Sequence, residues 1–203
     1  MSDNIVLCGV GGQGTVLASK LLAAAAMDRG LPVKTAETIG MAQRGGSVFS
    51  HVRLGEGAAS PLIGKGKADL IIAFEPAEAV RQLAYLRPGG TVVVSDRAIV
   101  PASALVGGPA YDVDAIMAYL HEQVDNLVVV DAAAAERDLG SAKCLNVVLL
   151  GAAVRTGVLS LTTDDIAGAI KRLVPERFQD LNARALAYAP GHVLASLVRQ
   201  PFD

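Results

Sequence analysis

The feature that most constrains this chain is a glycine-rich turn, Gly9-Val10-Gly11-Gly12-Gln13-Gly14, which joins the apolar run Asn4 to Cys8 to the helix-like stretch Gln13 to Arg29. A turn this short passes a buried strand into a helix only where residues without a Cβ relax the backbone. It leaves the first amides of the helix facing outward, with the positive end of the helix dipole behind them, and so reads as a phosphate-binding turn in an α/β fold. Leu17, Leu21, Leu22 and Ala25 follow at helical spacing, and Gly30 stands where a helix is stopped. A second glycine-rich segment, Met41-Ala42-Gln43-Arg44-Gly45-Gly46-Ser47, comes after the second strand-like run, Pro32 to Glu37, and sets a guanidinium beside bare backbone.

The alternation of short and long apolar segments continues along the chain. From Ser47 to Leu54, Val48, Ser50, Val52 and Leu54 alternate with Phe49, His51 and Arg53, which is the period of a strand. Asp69 to Phe74 is a continuous apolar strand, Glu75 to Leu86 a helix that Pro88-Gly89-Gly90 breaks, and Thr91 to Ser95 a strand again, the order of a parallel crossover. Val113 to Val124 reads as a helix, Leu127 to Asp131 as a strand, and Ser141 to Thr156 and Thr163 to Val174 as helices, the latter started by Thr162-Thr163-Asp164-Asp165. Glu176 to Val198 adds a helix interrupted near Pro190-Gly191. The expected architecture is one α/β domain over residues 1–203: doubly wound, Rossmann-like, with a mostly parallel sheet, extra C-terminal helices, and ligands at the C-terminal ends of the strands.

Composition removes several function classes. With 203 residues and 52% of them hydrophobic, the chain can bury a core of its own. The 18 basic and 20 acidic residues are interspersed, for a formal charge of -2, so there is no electrostatic footprint for nucleic acid or an anionic membrane. No apolar run approaches the roughly 20 residues that span a bilayer, and Met1-Ser2-Asp3-Asn4 has no basic leader character, so a cytoplasmic protein is expected. Cys8 and Cys144 lie far apart in apolar segments and are expected as buried packing residues. Two thiols cannot ligate a four-thiolate iron-sulfur cluster, and no metal site is expected.

Individual residues leave alternatives open. The Gly-x-Gly-x-x-Gly spacing, with Glu37 near the offset of a ribose-binding acid, fits a dinucleotide site; equally, the glycines permit close helix–strand packing and Glu37 anchors its loop. Gln13 and Gln43 either orient a ligand or cap their own loops. Arg44 either takes a carboxylate or phosphate bidentately or pairs with an acid. His51 is either a core or interface histidine, the commoner case in such a strand, or a proton-transfer group, and Arg53 on the same face is a solvated or salt-bridged arginine or one that crosses an interface.

Gly11-Gly12-Gln13-Gly14, Glu37-Thr38, Gly40-Met41-Ala42-Gln43-Arg44-Gly45-Gly46-Ser47 and Ser50-His51-Val52-Arg53 together resemble the gamma-type domain of the 2-oxoacid:ferredoxin oxidoreductases. Ser60-Pro61-Leu62-Ile63, Ala68-Asp69-Leu70, Phe74-Glu75-Pro76 and Leu86-Arg87-Pro88-Gly89-Gly90 narrow the resemblance to the beta subunits of its indolepyruvate-oxidising branch; it is strong through about residue 100 and looser beyond. The resemblance implies a subunit of an enzyme that oxidatively decarboxylates aryl pyruvates to an arylacetyl-CoA, carbon dioxide and reduced ferredoxin, with coenzyme A as cosubstrate. It implies that thiamine diphosphate, its Mg and the iron-sulfur clusters belong to a large alpha subunit in a heterotetramer, that ferredoxin meets the complex, and that this chain is inactive alone. In keeping with that division, the chain lacks a Gly-Asp-Gly followed by Asn-Asn of the kind that resembles a thiamine diphosphate site. The candidate ligand-binding set is Gly11, Gly12, Gln13, Gly14, Gln43, Arg44, Gly45, Gly46 and Ser47, and no residue is assigned a catalytic role. The competing expectation, from a different class, is an autonomous Rossmann-type module that binds NAD(P) or another nucleotide.

Overall fold

Strands buried on both faces read as unbroken apolar runs, and the computed structural model, which describes residues 2–37, 45–57, 60–101, 104 and 110–189, shows where those faces lie. β1 (Asp3–Val10), β2 (Val33–Glu37), β3 (Ser47–Leu54), β4 (Ala68–Ala73), β5 (Leu86–Ser95) and β6 (Asn126–Val130) form one sheet in the order β2-β3-β1-β4-β5-β6. β1, β4, β5 and β6 pair in parallel, whereas β3 runs antiparallel to both its neighbours, β1 and β2. In β1, Ile5 and Leu7 enter one core and Val6 and Cys8 the other, all of them fully buried.

Helices cover both faces. α1 (Thr15–Asp28), α5 (Leu145–Arg155), α6 (Thr163–Leu173) and α7 (Glu176–Ala187) pack over Ile5, Leu7, Leu70, Ile72 and Val93. α2 (Pro76–Gln82) and α3 (Val113–Gln123) contribute Ala79 and Leu120 to the opposite core, over Val6, Cys8, Ile71, Val92 and Val94. α4 (Ala132–Leu139) completes the helices and packs against α5 and α7. The doubly wound α/β fold is thus present, with its C-terminal helices gathered on one face. Both cysteines are buried. Among the described residues no helix is long and apolar enough to cross a membrane.

Local chemistry accounts for the helix ends. α1 stops in a Schellman arrangement, Leu31 N–H donating to Ala26 O at 3.0 Å around Gly30 at φ +71°. α6 opens with a capping box: Asp165 N–H donates to Thr162 Oγ1 at 3.3 Å, and Thr162 N–H to Asp165 Oδ2 at 2.7 Å.

Three local expectations differ. Pro88-Gly89-Gly90 does not end a helix: α2 closes at Gln82, a 3₁₀ turn covers Leu83–Tyr85, and β5 already starts at Leu86 and carries the triplet. A register shift between Ala68 and Leu70 absorbs the proline, which a regular ladder would not accept. α4 is an additional helix, N-capped by Asp131, whose Oδ1 accepts from Ala134 N–H at 2.7 Å, and stopped by Gly140 at φ +74°. Ser141 to Thr156 divides into a 3₁₀ turn, Ala142–Cys144, and α5. The interruption expected near Pro190-Gly191 lies outside the described residues.

The α5–α7 contact is closest at Gly151, where an added Cβ would stand 2.2 Å from Leu186 O. Helix propensity alone favours alanine over glycine by about 1 kcal/mol. Overpacking against rigid backbone reverses that sign, and Gly151→Ala is expected to destabilise the chain by about 1–3 kcal/mol in urea unfolding. A variant as stable as the parent would contradict this packing.

Candidate functional site

Because β1 and β4 are parallel neighbours, the segments that follow them emerge side by side, and antiparallel β3 brings its first residue, Ser47, opposite Val10. The two glycine loops therefore meet. Gly11 N–H donates to Gly46 O at 2.9 Å, and Gly45 N–H to Gly11 O at 3.5 Å. The structure brings together Gly11, Gly12, Gln13, Gly14, Gly45, Gly46 and Ser47; Gln43 and Arg44 lie outside the described residues.

Gln13 shapes the first loop. Its Oε1 accepts from Val10 N–H at 2.7 Å and its Nε2 donates to Phe74 O at 2.8 Å, so the side chain holds the loop after β1 against the end of β4. A Cβ on Gly9 would lie 2.7 Å from Gln13 Oε1 and 2.9 Å from Phe74 Cβ. Gly12 at φ +103° and Gly14 at φ +86° occupy the left-handed region. Gly14 is the N-cap of α1, with no side-chain cap and no acidic residue in the first turn. Ala18 N–H reaches Gly14 O at 3.1 Å, whereas the amides of Thr15, Val16 and Leu17 have no acceptor among the described residues.

Beside the second loop, the Ser47 hydroxyl donates to Glu78 Oε2, and Arg81 pairs with Glu78 Oε1. Glu75 caps α2 by accepting from Glu78 N–H at 3.0 Å, and its other oxygen accepts from the Tyr111 hydroxyl. Burial, then the hydrogen bond to Glu75, pushes the Tyr111 phenol up. Burial, reinforced by Glu78 and Glu75, raises Cys8 well above its ordinary value, which leaves it a thiol rather than a nucleophile. Glu75 and Glu78 were not among the candidates; the available signal was an acidic residue directly before Pro76, a common helix opening. Asn146, from α5, was also absent from them, yet its Nδ2 would lie 2.6 Å from a Cβ on Gly14.

The remaining candidates resolve individually. Glu37 accepts from Ser19 Oγ at 2.8 Å, which makes it an anchor on α1. Arg53 donates to Asn4 Oδ1 at 2.8 Å and Ser60 O at 2.9 Å, so it is bonded within its own chain. His51 is 3% exposed, accepts from Ile63 N–H at Nδ1 at 2.8 Å, and meets the Phe49 ring at a tilt and the Tyr85 ring edge-on. Its Nε2 is buried without a partner. Among the described residues no three His, Cys, Asp or Glu side chains gather as a metal site.

A family model described as pyruvate ferredoxin/flavodoxin oxidoreductase matches residues 4–190. The indolepyruvate oxidoreductase subunit IorB of Archaeoglobus fulgidus is 41% identical over 187 residues, covering 92% of each chain. The gamma subunit of a keto/oxoacid ferredoxin oxidoreductase from Geobacter sulfurreducens superposes with a TM-score of 0.67 at 25% identity, over 92% of this chain and 93% of that one. A 2-oxoglutarate:ferredoxin oxidoreductase from Magnetococcus marinus shares the fold at a TM-score of 0.67 and 20% identity, over 92% of this chain and 30% of that longer one.

Two outcomes follow from the geometry. Gly14→Ala is expected to destabilise the chain by about 1–3 kcal/mol in urea unfolding, since it combines a left-handed backbone with a clash on Asn146; an unaffected midpoint would contradict this. Burial lowers the His51 pKa from 6.5, so the folded chain resists a proton that the unfolded chain accepts. The stability from neutral His51 is complete above about pH 6.5 and is lost as the pH falls below it. The urea midpoint should fall between about pH 7 and 5, and less steeply in His51→Gln, which retains an acceptor for Ile63; equal slopes would overturn the assignment.

Proposed function

Because the chain belongs to the pyruvate ferredoxin/flavodoxin oxidoreductase family and is a small subunit of a 2-oxoacid:ferredoxin oxidoreductase, we propose that its joined glycine loops complete the active site of an enzyme acting on aryl pyruvates, indolepyruvate among them. The substrate is decarboxylated and oxidised, the acyl group passes to coenzyme A, and the electrons pass to ferredoxin. The products are an arylacetyl-CoA, carbon dioxide and reduced ferredoxin. This reading takes residues 1–203 as one gamma-type domain of a cytoplasmic enzyme.

The observation that carries the proposal is the Gly11–Gly46 pairing, which merges both loops into one backbone-lined surface at the carboxyl ends of β1 and β4. The 41% identity with an indolepyruvate oxidoreductase subunit supports the substrate class. Thiamine diphosphate with its Mg, bound in a large alpha subunit, supplies the chemistry at the carbonyl carbon. The clusters belong there too, since two buried cysteines cannot furnish four thiolates. This chain binds and orients. The Gly11, Gly12 and Gly14 backbone, held by Gln13, offers amides to an anion, with Gly45, Gly46 and Ser47 as a second wall, and Gln43 and Arg44 are assigned to the same ligand from their place in the sequence just before Gly45. Arg44 takes a carboxylate or phosphate bidentately. An autonomous NAD(P) module has less support, since Glu37 is engaged by Ser19 and β3 stands between β1 and β2.

An anaerobic pull-down of the tagged chain should bring down a large cluster-bearing subunit, with viologen reduction that needs both chains, indolepyruvate and coenzyme A. In that complex, Arg44→Ala is expected to lower turnover at least about ten-fold. A chain that emerges alone carrying a nucleotide, or unchanged turnover in Arg44→Ala, would refute the proposal.

A further inference from the structure

We infer that Asn146 and the N-terminus of α1 together form a subsite for a phosphate or diphosphate group, an assignment that deepens the proposed loop function and rests on it. Asn146 is the second residue of α5 and is 5% exposed. Its Oδ1 accepts from Val147 N–H at 2.9 Å. That bond fixes which way the amide is turned, so the end directed at α1 is the donor Nδ2, 2.6 Å from where a Gly14 Cβ would stand. Nδ2 has no acceptor among the described residues.

An asparagine this buried normally satisfies both ends of its amide. Here the unmet donors face a second set of unmet donors, the amides of Thr15, Val16 and Leu17 at the start of a 14-residue helix. The two arrays converge from different elements on a place where Gly12 is exposed and Gly14 partly so. No acidic side chain occupies the first turn of α1. A ligand for this place must accept hydrogen bonds only and carry negative charge, which describes a phosphate oxygen set better than a neutral group. Gly14 is the condition for this convergence, because any side chain there would displace the Asn146 amide. Two sources present this chemistry to such an enzyme: the phosphates of coenzyme A and the diphosphate of thiamine diphosphate.

The test is calorimetric titration of the full chain with inorganic pyrophosphate at low ionic strength, for the parent and for Asn146→Asp. The substitution keeps the shape, replaces the donor by an anion, and sits at a helix N-terminus that favours a carboxylate, so the fold should survive it. Pyrophosphate should bind the parent, and at least about ten-fold more weakly to Asn146→Asp, with the thermal midpoint of the variant undiminished. Displacement of pyrophosphate by coenzyme A or by thiamine diphosphate then identifies the source. Equal binding by both proteins, or no binding by the parent, would overturn the subsite. If the subsite falls while Arg44→Ala still lowers turnover in the complex, the proposed function stands without it; if neither variant has an effect, both fall.

Discussion

One side-chain amide holds the functional end of this molecule together. Gln13 accepts from Val10 N–H and donates to Phe74 O, joining the turn after β1 to the end of β4 across the sheet. Both hydrogen bonds lie in partly buried surroundings, where an unmade backbone bond is costly. The consequences extend outward from that bridge. Gly9 must lack a Cβ because the Gln13 oxygen fills its place. Glu75 follows Phe74 directly, so the same anchoring sets the start of α2 and the carboxylates that reach Tyr111 and, through Glu78, Ser47.

The second constraint is the reversed strand β3. Its pairing with β1 runs the whole length from Asp3–Leu54 to Val10–Ser47, and it displaces β2 to the sheet edge. In a fold where β2 lay against β1, an acid at the end of β2 would stand beside the glycine turn. Here Glu37 is turned to Ser19 on α1, and the place beside the turn is taken by Gly45, Gly46 and Ser47. The same glycine spacing thus serves a backbone-lined surface shared by two loops.

The sequence made legible what local physics governs. Strands buried on both faces appeared as continuous apolar runs, the period of two identified β3, and the Thr162 capping box marked the start of α6. The position of β3 within the sheet depends on nonlocal pairing, which no local period encodes. α4 was hidden in an alanine-rich stretch whose best signals were its ends, Asp131 and Gly140. Pro88-Gly89-Gly90 resembled a break because a strand tolerates such a triplet only where register shifts. Gln13 was recognised with two possible roles, and only the proximity of Phe74, far along the chain, decided between them. Glu78 and Asn146 join the loops from distant elements, so their part in the site is a property of packing rather than of motif.

If the merged glycine loops are the face on which the large subunit closes, assembly must cover their backbone. Hydrogen exchange of the chain alone and in the assembled enzyme reads this out, because the amides of Thr15, Val16 and Leu17, which have no acceptor among the described residues, gain protection only where something covers or binds them. Assembly is expected to protect residues 9–17 and 45–47 more than the rest of the surface. Protection confined to other surfaces, with these amides exchanging as fast in the complex as in the free chain, would contradict it.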